Sequence, residues 1–311
     1  MSPLDRLDTA RFYATLELLR PLPLDWVFRV LRAQARVSYR LRPRKRRQAM
    51  EWLREMAPAD QPDVETTRLA RQLFAYATFK RYLNYLLFLH DAKEHRETIA
   101  VEGWHRVEEA LGQKQGVILL SSHVGLSRVQ RWFLRTKDHR VYYLLRIAFP
   151  SATNRSPAAI IARWHRNRYR LDADELFGNE ELSVQYMKKA YDHLRRNGIV
   201  TIAGDGHHGS GPRHPVTICG RQHELADGGI SLALMTGAAI LPCFVSVDDA
   251  PRFRLEFQEP LTCPSGDRGT QTQALAEAYA ERIAGFVSRH PTNVPNFRYS
   301  VRLGAARKGH S

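Results

Sequence analysis

From Ile99 onward, short apolar runs alternate with segments whose apolar residues recur every three or four positions. The clearest run is Val117–Leu120, bounded by Gly116 on one side and by Ser121 and Ser122 on the other. A run with no polar face suits a strand buried on both sides, as in a parallel sheet. Leu126, Val129, Phe133 and Leu134 then repeat at helical spacing, so strand passes into helix through His123 and Gly125. By the same reading, Ile99–Glu102, Val141–Leu145, Ile199–Ala203, Val216–Cys219 and Ile240–Val247 are strands. Phe253–Phe257 alternates as an edge strand would. Helices are expected over Trp104–Leu111, Ala158–Tyr169, a segment capped by Asn179, and Ile230–Met235. The face Leu275, Tyr279, Ile283 and Phe286 marks a last one. Strands alternating with helices predict an α/β fold: a mixed, mostly parallel sheet flanked by helices.

The first part of the chain carries helical patterns alone. Leu4–Leu19 is followed by Pro21 and Pro23, and Asp25 then caps a basic amphipathic helix. Trp26, Val27, Val30, Leu31 and Val37 are read as its apolar side, with arginines opposite. Such a helix either packs on the core or lies in a membrane interface with its arginines on lipid phosphates. Pro43 stops it, Gln48–Glu55 starts another, and Thr66–His90 forms a long aromatic-rich helix. The pattern divides the chain into an amino-terminal helical, membrane-surface-associating segment (1–95) and an α/β domain (96–311).

Three predicted strands end in polar clusters: His123 with Arg128, then Arg146, then Asp205 with His207 and His208. Parallel strands bring such ends to one edge of the sheet, where ligands bind in open α/β folds. The clusters are therefore predicted to converge. Gly125 lets the backbone turn sharply or approach a substrate. His207 and His208 are adjacent rather than four apart on a helix, and no metal site is expected there. The run GDGHHGSG lacks the lysine and spacing of a phosphate loop, and no G-x-S-x-G elbow is present for a serine hydrolase.

Composition adds one strong signal. The 311 residues are 43% hydrophobic, enough for a core without disulfides or a structural metal, and the three cysteines read as reduced thiols. The net charge of +15 favours polyanions: nucleic acid, an anionic membrane surface or phosphorylated substrates. Nine basic residues fall between Asp25 and Glu51 with no acid among them. The uncharged run Gly228–Val247 is interrupted by Thr236, Gly237 and Pro242, which fits a helix, a turn and a strand. Neither a transmembrane helix nor a cleavable signal is expected, and membrane association would be peripheral.

Several features come in a telling order. They are a short helix, a buried strand running into His123-x-Gly125, a strand ending in Asp205-Gly206, and HPVTICGR followed by a helix and LPCFVSV. In this the chain resembles the lysophospholipid acyltransferase superfamily, and within it the lipid A late acyltransferase branch, over roughly Ile99 to Val247. The resemblance implies acyl transfer from a thioester carrier, acyl-CoA or acyl carrier protein, to a lipid or amphipathic hydroxyl or amine. No bound cofactor is implied. It makes His123 the general base and calls for an acid five residues on, where this chain has Arg128. Arg128 is then expected to hold an acceptor or carrier phosphate, with Asp205 as the carboxylate. Arg146, His207, His208 and Arg221 are expected on the substrate side, Arg221 either at an anionic headgroup or in a surface ion pair. The expected location is the cytoplasmic face of the inner membrane. Two other readings stay open: a non-catalytic lipid-binding relative, and a basic nucleic-acid-binding protein, for which no zinc finger or RNP-type motif speaks.

Overall fold

The computed structural model describes residues 3–56, 63–87, 96–146, 177–178, 184–205, 212–247 and 252–294. Four helices lead: α1 (Pro3–Leu19), α2 (Leu24–Leu41), α3 (Pro43–Met56) and α4 (Asp63–Leu86). Then come β1 (Ile99–Glu102), α5 (Trp104–Gly112), β2 (Val117–Ser121), α6 (Ser127–Leu134), β3 (Val141–Arg146) and β4 (Phe177–Gly178). They are followed by α7 (Val184–Arg195), β5 (Ile199–Ala203), β6 (Arg213–Ile218), β7 (Arg221–Ala226) and α8 (Gly228–Thr236). The last elements are β8 (Ala239–Val247), β9 (Phe253–Phe257) and α9 (Arg268–Arg289). Pro43 both ends α2 and opens α3, so α3 starts earlier than Gln48; proline is favoured at a first helical position, where its missing N–H has no partner to lose. The helix expected over Ala158–Tyr169 and the Asn179 cap lie outside the described residues.

Among the described residues one sheet of seven strands runs in the order β1-β9-β8-β2-β5-β3-β4. Strands β8, β2, β5, β3 and β4 are mutually parallel, and β9 runs against β8 with β1 parallel to it. The mixed, mostly parallel α/β class is as the sequence predicts. Phe253–Phe257 is not an edge strand, because β1 covers its outer side. Its alternation reports one-sided burial: Phe253, Leu255 and Phe257 are buried, while Arg254 and Glu256 pair with Glu102 and Arg289. The stretch Val216–Cys219 also differs from a lone strand. It belongs to the β6–β7 hairpin, turned by Cys219 and Gly220 with φ of 50° and 74°. Two positive-φ residues in a two-residue loop match the twist of the strands they join.

Because side chains alternate along a strand, β2 feeds both cores. Val117 and Leu119 join α1, α2, α4, α5 and α6, whereas Ile118 and Leu120 join α3, α7, α8 and α9. Helix α4 belongs to the first core through Tyr76, Phe79, Tyr82 and Leu83, so these three aromatic residues are interior.

Helix α2 has two apolar faces rather than one apolar and one basic. Leu24, Val27, Phe28, Leu31 and Ala35 are buried, and Phe28 meets Phe79 and Phe253 with ring centroids 5.0 and 5.7 Å apart. Trp26, Val30, Val37 and Leu41, at i, i+4, i+11 and i+15, are exposed on the far side. Phe28→Ala should destabilise the fold by about 3–5 kcal/mol. Trp26→Ala should change stability by no more than about 0.5 kcal/mol. Denaturant titration of both variants checks this, and equal losses would contradict the two-faced helix.

Candidate active site

Ser121 at the end of β2 pairs in register with Ala203 at the end of the neighbouring parallel strand β5. His123 and Asp205 each lie two residues further on, at equivalent positions of strands roughly 4.8 Å apart. The tight crossing is locked at Ser121, whose carbonyl accepts from Gly204 N–H at 2.9 Å and Tyr279 O–H at 2.6 Å.

The two residues meet. His123 Nδ1 lies 2.8 Å from Asp205 Oδ1. The Asp205 carboxylate also accepts from the His123 backbone N–H at 2.9 and 2.8 Å and from Ser122 Oγ at 2.6 Å. Asp205 is buried, and the His123 side chain is 50% exposed. Burial pushes the Asp205 carboxyl up, but hydrogen bonds from His123, the imidazolium charge and the Ser122 hydroxyl outweigh it, and the net shift is downward. The hydrogen bond to Asp205 raises His123 above 6.5, against an opposing effect of burial and of the Lys80 charge. An ionised carboxylate only accepts, so Nδ1 carries the proton and Nε2 of the neutral ring is left with the lone pair.

The loop from Ser122 to Leu126 is held on all sides. Val124 N–H donates to Ser122 Oγ at 3.1 Å, Gly125 N–H to the Asn293 carbonyl at 2.8 Å and Leu126 N–H to the Val245 carbonyl at 3.2 Å. Lys80 Nζ from α4 donates to the carbonyls of His123 and Gly125, the latter at 3.1 Å. Gly125 has φ of 77°, and a Cβ there would collide with the Val245 carbonyl oxygen. This glycine therefore makes the turn against protein backbone, with its own N–H and carbonyl engaged by protein groups rather than by a substrate. Buried Asn293 ties the same region to β8 by accepting from Val247 N–H at 2.8 Å.

Arg128 lies in the first turn of α6, partly buried, close enough for its charge to act on Lys80. Arg146 ends β3, the strand next to β5, so the three strand ends named from the sequence share one edge. His207 and His208 lie outside the described residues. Arg221 opens β7, forms an ion pair with Glu55 of α3 and lies over the Trp52 ring at 6.0 Å. It shares an apolar pocket with Asp205, Val124, Trp52, Leu225 and Ile283. Sequence reasoning missed Ser122, Lys80 and Asn293. Lys80 had a signal, since it interrupts the buried stripe Tyr76, Phe79 and Leu83 of α4. Asn293, beyond the end of α9, had none.

A mostly parallel α/β sheet with a histidine–carboxylate pair at the ends of two central strands is a scaffold for general-base group transfer. Over residues 8–294 the sequence matches the family described as bacterial lipid A biosynthesis acyltransferase, and the chain belongs to that family. Its reaction class is therefore acyl transfer in lipid biosynthesis. Among solved structures, it is similar to the 1-acyl-sn-glycerophosphate (LPA) acyltransferase PlsC of Thermotoga maritima. The identity is 12% and the TM-score 0.35, over 93% of this chain and 98% of that one. No curated protein sequence gives a significant match.

The pair makes a measurable prediction. Asp205→Asn removes the hydrogen bond and charge that raise His123, so the His123 pKa, followed by NMR titration, should fall from its raised value. An unchanged value would show that Asp205 does not control the imidazole.

Proposed function

We propose that the protein moves an acyl group from a thioester donor, acyl-CoA or acyl carrier protein, to a hydroxyl or amine of a lipid or amphipathic acceptor. His123 acts as general base, and no bound cofactor takes part. The observation that carries this reading is the 2.8 Å contact between His123 Nδ1 and buried Asp205. Nε2 takes the acceptor proton as the acceptor oxygen or nitrogen attacks the thioester carbonyl. Asp205 fixes the tautomer and stabilises the imidazolium that forms. The tetrahedral intermediate then expels the thiolate, which recovers the proton from His123. The apolar pocket beside Asp205 and Val124 would receive the acyl chain. Arg128, Arg146, His207 and His208 are assigned to anionic groups of acceptor or donor. Arg221 already serves Glu55, and its place in the reading is at the pocket wall.

The reaction is assigned to the cytoplasmic face of an inner membrane, with peripheral attachment through the amino-terminal helices. Among the described residues no helix is long and apolar enough to cross a membrane. Support for attachment comes from α2, whose exposed Trp26, Val30, Val37 and Leu41 form an apolar stripe beside Arg29, Arg36 and Arg40. An exposed apolar stripe with arginines alongside matches an interfacial helix on anionic lipid.

Two experiments test this. His123→Ala should lower acyl transfer by about 10²–10⁴-fold with folding intact; undiminished transfer would rule His123 out as the base. A wild-type protein that binds lipid but transfers no acyl group from either donor would instead be the non-catalytic relative. Replacing Trp26 and Leu41 by serine, or reversing Arg44, Lys45, Arg46 and Arg47 to glutamate, should release the protein from anionic liposomes in sedimentation. Retained binding by both variants would remove these helices from the membrane contact.

A further inference from the structure

The ammonium of Lys80, on α4, reaches the loop of His123 from the amino-terminal helices. It holds the carbonyls on either side of Val124, those of His123 and Gly125. The other polar groups of the loop look elsewhere. Its N–H groups go to Asp205, Ser122, Asn293 and Val245. Without Lys80, two carbonyls of the turn would lose the charge-assisted bonds that complete this accounting.

We propose that Lys80 is a positioning residue for acyl transfer, tying the loop that carries the base to α4 through the carbonyls of His123 and Gly125. This rests on the reading of His123 as general base. Helix α4 packs on α2, whose outer face is the exposed apolar stripe, so the same helix that sets the loop also backs the proposed membrane contact. Lys80 therefore joins the two parts of the molecule at the reacting histidine.

Its charge has a second consequence. The groups that act on it are Asp205 beyond β5, His123 in the loop and Arg128 on α6. On its own helix, buried Tyr76 lies one turn earlier, and Arg81 is turned onto the rings of Phe12 and Tyr82. Burial brings Lys80 down to about 8, against the pull of Asp205 and helped by the repulsion of Arg128. Its positive charge opposes protonation of His123, while Asp205 promotes it. Lys80 thereby opposes the rise that Asp205 imposes on the base. A neutral amine above that value would hold the two carbonyls less strongly, since bonds from a charged donor are about twice as strong.

The test compares wild type with Lys80→Met, which keeps the length and removes the charge, and Lys80→Arg, which keeps the charge. Acyl-transfer kcat/KM is measured against pH, and the His123 imidazole is titrated by NMR in the same proteins. Lys80→Met should lose about 10–10²-fold in rate through misplacement of the base. Its acid limb and its His123 pKa should move together to higher pH. Lys80→Arg should return both toward wild type. If Lys80→Met does not fold, Lys80→Gln, which is uncharged but still a donor, replaces it in both measurements, and its acid limb and His123 pKa should likewise move to higher pH. A Lys80→Met or Lys80→Gln variant with wild-type rate and acid limb overturns the inference. Undiminished transfer by His123→Ala overturns the base reading instead, and the His123 titration then reports on Lys80 separately.

Discussion

A carboxylate taken out of water protonates unless its environment replaces the lost hydration. Asp205 is buried, and its replacement comes from the His123 ring, the His123 N–H and the Ser122 hydroxyl. All three donors come from the turn after β2, so the carboxylate also shapes the turn that serves it. The turn in turn requires β2 and β5 to be adjacent, parallel and in the register that aligns Ser121 with Ala203. The position of the imidazole depends on this one interaction, which in turn depends on the order and register of the two strands.

The same pair has opposite consequences at the two ends of the pH scale. Asp205 is held below its ordinary value of 3.8, so its contribution to stability is present above that value and is lost as the pH falls through the folded value. His123 is held above 6.5, so its contribution is present below 6.5 and is lost as the pH rises through the folded value. Catalysis as a base requires the neutral ring. Activity is therefore expected to grow over the pH range where the stabilising contribution of His123 fades.

Much of this was legible in the sequence because it rests on local pattern. The uncharged run Val117–Leu120 suits a strand covered on both faces, and His123 follows it after Ser121 and Ser122. Asp205 follows Ile199–Ala203 in the same way, and the parallel sheet rule then brings the two together. What failed depends on partners distant in sequence. The alternation of Phe253–Phe257 specifies one buried face, but only β1 pairing decides whether the strand is an edge. Apolar residues of α2 were assigned to one side, although Trp26 is exposed and Val27 buried. Asn293 acts through a carbonyl and an amide on backbone groups of β8 and the Gly125 turn, which no spacing along the chain announces.

The departure from the family pattern at Arg128 also acquires a physical setting. The acid expected five residues after His123 would lie on α6, whereas the carboxylate here lies on the neighbouring strand end. Lys80 feels both the Asp205 carboxylate and the Arg128 guanidinium, so two cations and one carboxylate meet around the loop of His123. Such a field suits an anionic donor or acceptor. Whether His123 and Asp205 work as one unit is measured directly by a double-mutant cycle on acyl-transfer rate. For residues acting as one unit, His123→Ala combined with Asp205→Asn should be no slower than His123→Ala alone. Losses that multiply across the two substitutions would show that the residues act independently and would contradict their joint action.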